Sequence, residues 1–344
     1  MPARRTIAAL WATAGAAVVM LAVALLSGST PLSFVEVWRA LAGGDGGAGE
    51  AAEIVWRLRL PRALAAFACG GLLALSGALL QTVLRNPLAE PYLLGVSGGA
   101  AVGALLVMWF GAAAIGVPFG AAAGAVSVTA LLMLIARRDF SDHASGTSAG
   151  TSAIDSGRRL LLAGVALASL CGAAVALILS LAPDTQLRGM VFWLMGDLSS
   201  IPGGVEGWGV AMGVLAIALA ITWAQAHALN VLTRGEAVAQ TLGVNVRHLR
   251  IMAFIIAAVA AAAAVATAGA IGFAGLVAPH LMRLMLGNDQ RVLLPASVLG
   301  GGTLLLFADT LARTVTAPVQ LPTGAVMALI GAPVFLHLLF HRRR

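Results

Sequence analysis

The sequence predicts an all-α polytopic membrane protein of about ten transmembrane helices with both termini cytoplasmic, and three observations carry that prediction. Of its 344 residues, 60% are hydrophobic and only 10% charged, where a soluble domain carries roughly 25% charged residues. The apolar residues fall in stretches of about 20, the length a helix needs to cross a bilayer core. The arginines between those stretches are shared unequally between the two sides. Residues 1–344 read as a single transmembrane domain, with no clear internal repeat.

Spans are expected near 6–26, 61–83, 92–110, 117–136, 159–182, 205–226, 249–270, 273–286, 292–312 and 322–340. The first follows Arg4 and Arg5 as a secretory signal would. Its apolar run exceeds the roughly 7–15 residues of a signal core and no convincing cleavage site follows, so it reads as a retained helix. The second and third are separated by Gln81-Thr-Val-Leu-Arg-Asn-Pro-Leu-Ala-Glu-Pro91. A break of that kind at membrane depth is tolerated only where protein or water satisfies the freed backbone groups, so this helix pair is shaped around a passage. The eighth span is short and holds Pro279, and orientation decides in its favour. With both termini inside, Arg4, Arg5, Arg85, Arg137, Arg138, Arg158, Arg159, Arg234, Arg247, Arg250, Arg283, Arg291 and Arg342 to Arg344 are cytoplasmic, 15 in all. Arg39, Arg57, Arg59, Arg62, Arg188 and Arg313 are the 6 outside. That is the positive-inside bias, whereas nine spans would put the terminal arginines outside.

Between spans, the Ser, Thr, Ala and Gly of residues 140–157 read as a flexible cytoplasmic linker. Outside, 183–204 has room for a short surface helix carrying Phe192, Trp193 and Met195. Glycines recur at every fourth position in Gly95, Gly99 and Gly103, in Gly116, Gly120 and Gly124, and in Gly209 and Gly213. Such spacing makes one helical face on which backbones approach closely, chiefly within the bundle.

Several chemistries are excluded or poorly supported. No lysine is present, and a P-loop needs one on the nucleotide phosphates, so the chain is not its own P-loop ATPase. No basic stripe interleaves with aromatics, which argues against nucleic acid. Cys69 and Cys171 stand singly in apolar runs as buried small hydrophobes. His143, His227, His248, His280, His337 and His341 are scattered without metal-site spacing. No acid/base or nucleophile cluster marks an enzyme. Only Asp309 among the 14 acidic residues falls well inside an apolar run. An ion-coupled secondary transporter, which keeps ionisable relays within the membrane, is the weaker alternative.

Two segments stand out as candidates for function. Residues 229–250 are cytoplasmic, and Thr233 with Glu236 has capping-box spacing, while Gly243 suits a C-cap. They frame a helix of about two turns presenting Val238, Ala239 and Leu242, more apt as a docking knob for a cytosolic partner than as a connector. Outside, Arg59 and Arg62 share a helical face at i and i+3, and Arg313 ends the ninth span on the same side. Spacing leaves three readings open: anchorage to lipid headgroups, a receptor for carboxylates, or an ion pair between Arg313 and Asp309.

The combination of motifs resembles the FecCD, or cobalamin-permease-like, permeases of bacterial type II ABC importers for iron chelates and vitamin B12. The pieces are Arg59-Leu-Pro-Arg62, Gln81 with Arg85-Asn-Pro-Leu-Ala-Glu-Pro91, Leu94-Gly-Val-Ser-Gly-Gly-Ala100, and Arg159-Leu-Leu-Leu-Ala-Gly-Val165. Phe192-Trp-Leu-Met-Gly196, Gly235-Glu, Leu242-Gly243 and the long run from Gly269 to Arg283 follow. Ala308-Asp-Thr-Leu-Ala-Arg313, Leu321-Pro-Thr-Gly324 and Gly331-Ala-Pro-Val-Phe335 complete the set, over about 55–340.

The resemblance implies a homodimer in the bacterial inner membrane with a path between subunits, two cytosolic ATPases that hold ATP and Mg, and an extracytoplasmic binding protein. It assigns Arg234, Gly235, Glu236, Ala239, Leu242 and Gly243 to ATPase coupling. It assigns Arg59, Arg62 and Arg313 to docking of the binding protein, and Asn86 and Leu88 to the cytoplasmic gate. No cofactor or metal is implied for this chain. Gly157-Arg158 departs from the small hydroxyl residues that some members carry at a second constriction, which is therefore not assigned. Cobalamin or another corrinoid, haem and ferric siderophores are the cargo classes implied, and Phe192-Trp-Leu-Met-Gly196 leans toward a corrinoid.

Overall fold

A computed structural model of the protein describes residues 3–43, 49–111, 116–141, 151–199, 201 and 205–341. It is helical throughout, with no strand among the described residues. Helix α1 (Ala3–Leu26) is followed by α2 (Phe34–Gly43), which lies outside the expected spans. Ser33 and Glu36 start α2 as a capping box: Ser33 Oγ accepts from the Glu36 amide at 3.3 Å, and Glu36 Oε2 accepts from the Ser33 amide at 2.7 Å. The Ser33 hydroxyl and amide together hold the Glu36 carboxyl below its ordinary range.

The expected second span begins far earlier than residue 61. Helix α3 (Glu50–Glu53), a π-helical turn (Ile54–Arg59) and α4 (Leu60–Val83) run on as one element. The wide turn has a cause in Pro61, whose ring displaces the carbonyl four residues back; the Leu60 amide bonds Val55 O, five back, instead. From Ala63 onward nearly every residue of α4 is buried. A helix apolar on all sides must be surrounded, and α4 is the axis of the bundle.

A 3₁₀ turn (Pro91–Leu94) leads into α5 (Val96–Trp109), then α6 (Gly116–Ser141), α7 (Thr151–Leu181) and α8 (Asp184–Leu194). The expected linker over 140–157 is shorter than predicted, because α6 runs to Ser141 and α7 starts at Thr151; residues 142–150 lie outside the described residues. Helix α8 is the expected surface helix, with Met190 buried beneath it. Then come α9 (Val205–Ala224), α10 (Ala226–Thr233), α11 (Glu236–Thr241), α12 (Val246–Ala268), α13 (Ala274–Leu286), α14 (Gln290–Thr314) and α15 (Thr323–His341).

Glycine makes the contacts close. A Cβ on Gly99 or Gly103 of α5 would collide with the Gly124 or Gly120 carbonyl of α6, and the reverse holds from α6. Gly70 and Gly301 join α4 to α14 in the same way. Gly213 has nothing within 4 Å of its would-be Cβ, so that spacing serves no contact inside the subunit. Both cysteines are buried and free.

Among the described residues, seven helices are long and apolar enough to cross a membrane, and three apolar helices are shorter: Val96–Trp109, Ala274–Leu286 and Thr323–Leu338. Helices α5 and α13, of 14 and 13 residues, reach only about 21 and 20 Å against a core of about 30 Å. The irregular stretches 84–95 and 269–273 extend them.

Candidate functional site

At the start of α4, the arginines of Arg59-Leu-Pro-Arg62 turn inward. Arg62 grips Asp309 of α14 with Nη2 at 2.8 Å and Nε at 3.0 Å from Oδ1, and its Nη1 donates to Gln320 Oε1 at 2.7 Å. Thr323 Oγ1 donates to Asp309 Oδ1 at 3.0 Å. Arg313 Nε stands 3.5 Å from Asp309 Oδ2, and its Nη2 donates to Ala24 O at 2.6 Å. Arg59 instead caps the end of α1, donating to Leu25 O at 2.7 Å, Leu26 O at 3.0 Å and Thr30 O. Asp309 is wholly buried, and Arg59, Arg62 and Arg313 are 4%, 9% and 8% exposed.

Of the three readings left open by spacing, the internal ion pair is present, but its principal partner is Arg62. A bidentate guanidinium outweighs the single longer approach of Arg313. Sequence reasoning missed this pair because 247 residues separate its members. The cluster holds three guanidiniums and one carboxylate, an excess of positive charge that backbone carbonyls and the Gln320 amide oxygen solvate.

At the other end of α4 the chain turns sharply. Arg85 takes φ 48°, then Asn86 Oδ1 accepts from the Leu88 amide at 3.0 Å and Asn86 O accepts from the Ala89 amide at 3.0 Å. Pro87 fixes the intervening φ. Asn86 is half-buried and Leu88 is 43% exposed, while Ala89 is buried behind them. Gln81, on the last turn of α4, donates to Gly275 O at 3.3 Å and accepts from Arg283 at 3.0 Å. Glu90 Oε1 accepts from the Phe273 amide at 2.8 Å, at the N-terminus of α13. The carboxylate meets the positive end of the helix dipole. Glu90 of the irregular stretch 84–95 thus satisfies an amide of the unwound stretch 269–273, as such backbone among apolar helices requires. Sequence reading singled out Asp309 but passed over Glu90, and its place just before Pro91 was the available signal.

The segment 229–250 corrects one expectation and upholds another. No capping box forms between Thr233 and Glu236: Thr233 is the last residue of α10, its hydroxyl donates to Asn230 O at 2.7 Å, and Gly235 (φ 134°) precedes α11. Glu236 pairs with Arg250 of α12 instead. The C-terminal expectation holds. Gly243 takes φ 78°, its amide bonds Gln240 O at 3.0 Å and the Val244 amide bonds Ala239 O at 2.9 Å, which is a Schellman stop. Val238 and Leu242 are 42% and 65% exposed, with Arg234 and Gly243 exposed beside them. Ala239 is completely buried, so it supports α11 from beneath and does not present itself, contrary to expectation. Asn230 ties α10 to the start of α14, donating to Asp289 Oδ1 at 2.7 Å and accepting from the Gln290 amide at 2.8 Å.

An arginine–carboxylate cluster lies at one end of the buried axial helix and a pinned proline turn at the other. The sequence model of the FecCD transport family matches residues 16–341. The chain belongs to the FecCD transport family. Among FecCD relatives, the hemin transport system permease protein HmuU of Yersinia pestis is 38% identical over 326 residues, 92% of this chain and 90% of that one. The vitamin B12 import system permease protein BtuC of Citrobacter koseri is 38% identical over 309 residues, covering 88% of each. A solved metal-chelate type ABC transporter in an inward-facing conformation superposes with a TM-score of 0.81 at 29% identity, over 97% of this chain and 99% of that one.

Proposed function

We propose that this chain is the permease subunit of an ATP-driven importer that carries a bulky metal chelate across the bacterial cytoplasmic membrane. The observation that carries the reading is α11, a short helix stopped by Gly243 that offers Val238 and Leu242 to solvent. Exposed apolar side chains on a rigid platform fit a protein contact, and a chain without lysine needs its ATPase from elsewhere. In this reading the three shorter apolar helices join the seven longer ones to make ten crossings, with both termini cytoplasmic. Two copies of the chain enclose the path, two cytosolic ATPases sit under α11, and an extracytoplasmic binding protein delivers the cargo. Arg59 and Arg313, the cluster arginines less engaged with Asp309, draw the carrier's carboxylates, and Arg62 secures the platform. Asn86 and Leu88 form the cytoplasmic gate. The cargo is a corrinoid, haem or a ferric siderophore, the first two being the ligand classes named for the relatives.

The test is uptake in proteoliposomes holding permease, ATPase and carrier. Cargo is expected to accumulate with internal or external ATP according to orientation, and an ionophore-imposed gradient without ATP is expected to drive none. Uptake driven by the gradient alone would make the chain an ion-coupled secondary transporter.

A further inference from the structure

Two non-glycine residues among those described have left-handed backbone, Arg85 (φ 48°) and Phe273 (φ 67°). Both stand at the anchor points of one segment. Arg85 occupies the position after the α4 C-cap Leu84, where glycine terminates a helix without strain. Strain kept at such a site needs a reason in the side chain. That side chain reaches across to α10: Arg85 Nη2 donates to Leu232 O at 3.1 Å. The same carbonyl accepts from the Gly235 amide at 3.2 Å, so it belongs to the joint between α10 and α11. At the far end, Glu90 is bonded to the Phe273 amide of α13. Between the two anchors, the Asn86 turn and Pro87 brace residues 85–90.

We propose that Arg85 is the positioning residue that links the ATPase-facing helix to the cytoplasmic gate, gripping the α10–α11 joint while Glu90 holds the other end of the gate segment on α13. Displacement of α11 then pulls on Arg85, pivots the segment about Glu90 and re-aims Asn86 and Leu88. The inference rests on the reading of α11 as the ATPase contact and of Asn86 and Leu88 as the gate. A glycine at position 85 would relieve the backbone and release the joint, so the structural and the coupling roles predict opposite consequences.

The experiment uses the assembled transporter with its ATPase and carrier in proteoliposomes. Leu88→Cys, in a background with Cys69 and Cys171 changed to alanine, reports gate exposure through its rate of maleimide labelling from the cytosolic side, with and without ATP and vanadate. In the parent, labelling is expected to change severalfold with nucleotide. Arg85→Gly and Arg85→Asn, both tolerant of left-handed backbone, are expected to bring the ratio near unity while ATPase co-purification persists and thermal stability is equal or higher. A nucleotide dependence that survives in both variants removes Arg85 from the path. Loss of ATPase co-purification or of folded protein in both variants makes Arg85 a structural cap and overturns the proposal. A parent that labels alike in all nucleotide states fails the gate reading itself, and the proposal with it.

Discussion

Asp309 shows how much one residue's role depends on its partners. Both its oxygens face guanidiniums: Arg62 at 2.8 Å and Arg313 at 3.5 Å. Removing one member of a buried pair leaves an uncompensated charge and costs about 3–5 kcal/mol. We therefore expect Arg62→Met and Asp309→Asn each to lower thermal stability in detergent, and the double variant to cost less than their sum. Additive losses would show that the two side chains act separately. The folded fraction of Asp309→Asn, with its arginines released, is also expected to bind the carrier more tightly at low salt, an advantage that screening removes at high salt. Arg62 and Asp309 were each conspicuous in sequence, Arg62 for its spacing from Arg59 and Asp309 for its charge in an apolar run. Their pairing was not, since periodicity relates neighbours on one helix and these lie on two.

Element by element, the short helix α11 gives the sharpest test, because its two faces should fail differently. Leu242, the C-cap of α11, is exposed, and Ala239, three residues earlier, is completely buried. Leu242→Arg is expected to abolish co-purification of the ATPase with the melting temperature unchanged. Ala239→Arg forces a charge beneath the helix, where burial without a partner is costly, and is expected to lose co-purification and stability together. If both variants retain the ATPase, α11 is not its contact. The stop at Gly243 was legible from sequence because left-handed backbone selects glycine. The start was misread: Thr233 and Glu236 have capping-box spacing, yet α10 runs through Thr233 and its hydroxyl is taken by Asn230 O. Local spacing cannot tell the end of one helix from the beginning of the next.

For the whole molecule, the packing around α4 sets what the bundle tolerates. A Cβ at Gly77 would overlap the Gly275 carbonyl, and one at Gly275 would lie 2.8 Å from Leu73 O. Both glycines bring α13 against the axial helix beside Gln81, whose amide bonds Gly275 O. Gly77→Val is accordingly expected to separate α13 from α4, with a cost of about 1–3 kcal/mol from overpacking, read as faster proteolysis in the 269–275 stretch. Unchanged proteolysis would mean that the bundle rearranges at little cost. By contrast, Gly213→Val meets nothing inside the subunit, and stability of the monomer should be unaffected.

By itself the sequence determined that this is an all-helical membrane protein, where its apolar segments lie, and where α11 stops. Bilayer thickness and left-handed backbone act on each stretch of chain separately, so they leave marks within a few residues. Tertiary structure alone decided that Arg62 holds Asp309, that Arg85 reaches Leu232 and that Glu90 caps α13. Those bonds join residues 247, 147 and 183 positions apart. A buried charge or an unwound backbone group must find a partner wherever the packed helices bring one within reach, and no local pattern in the chain records which partner that is.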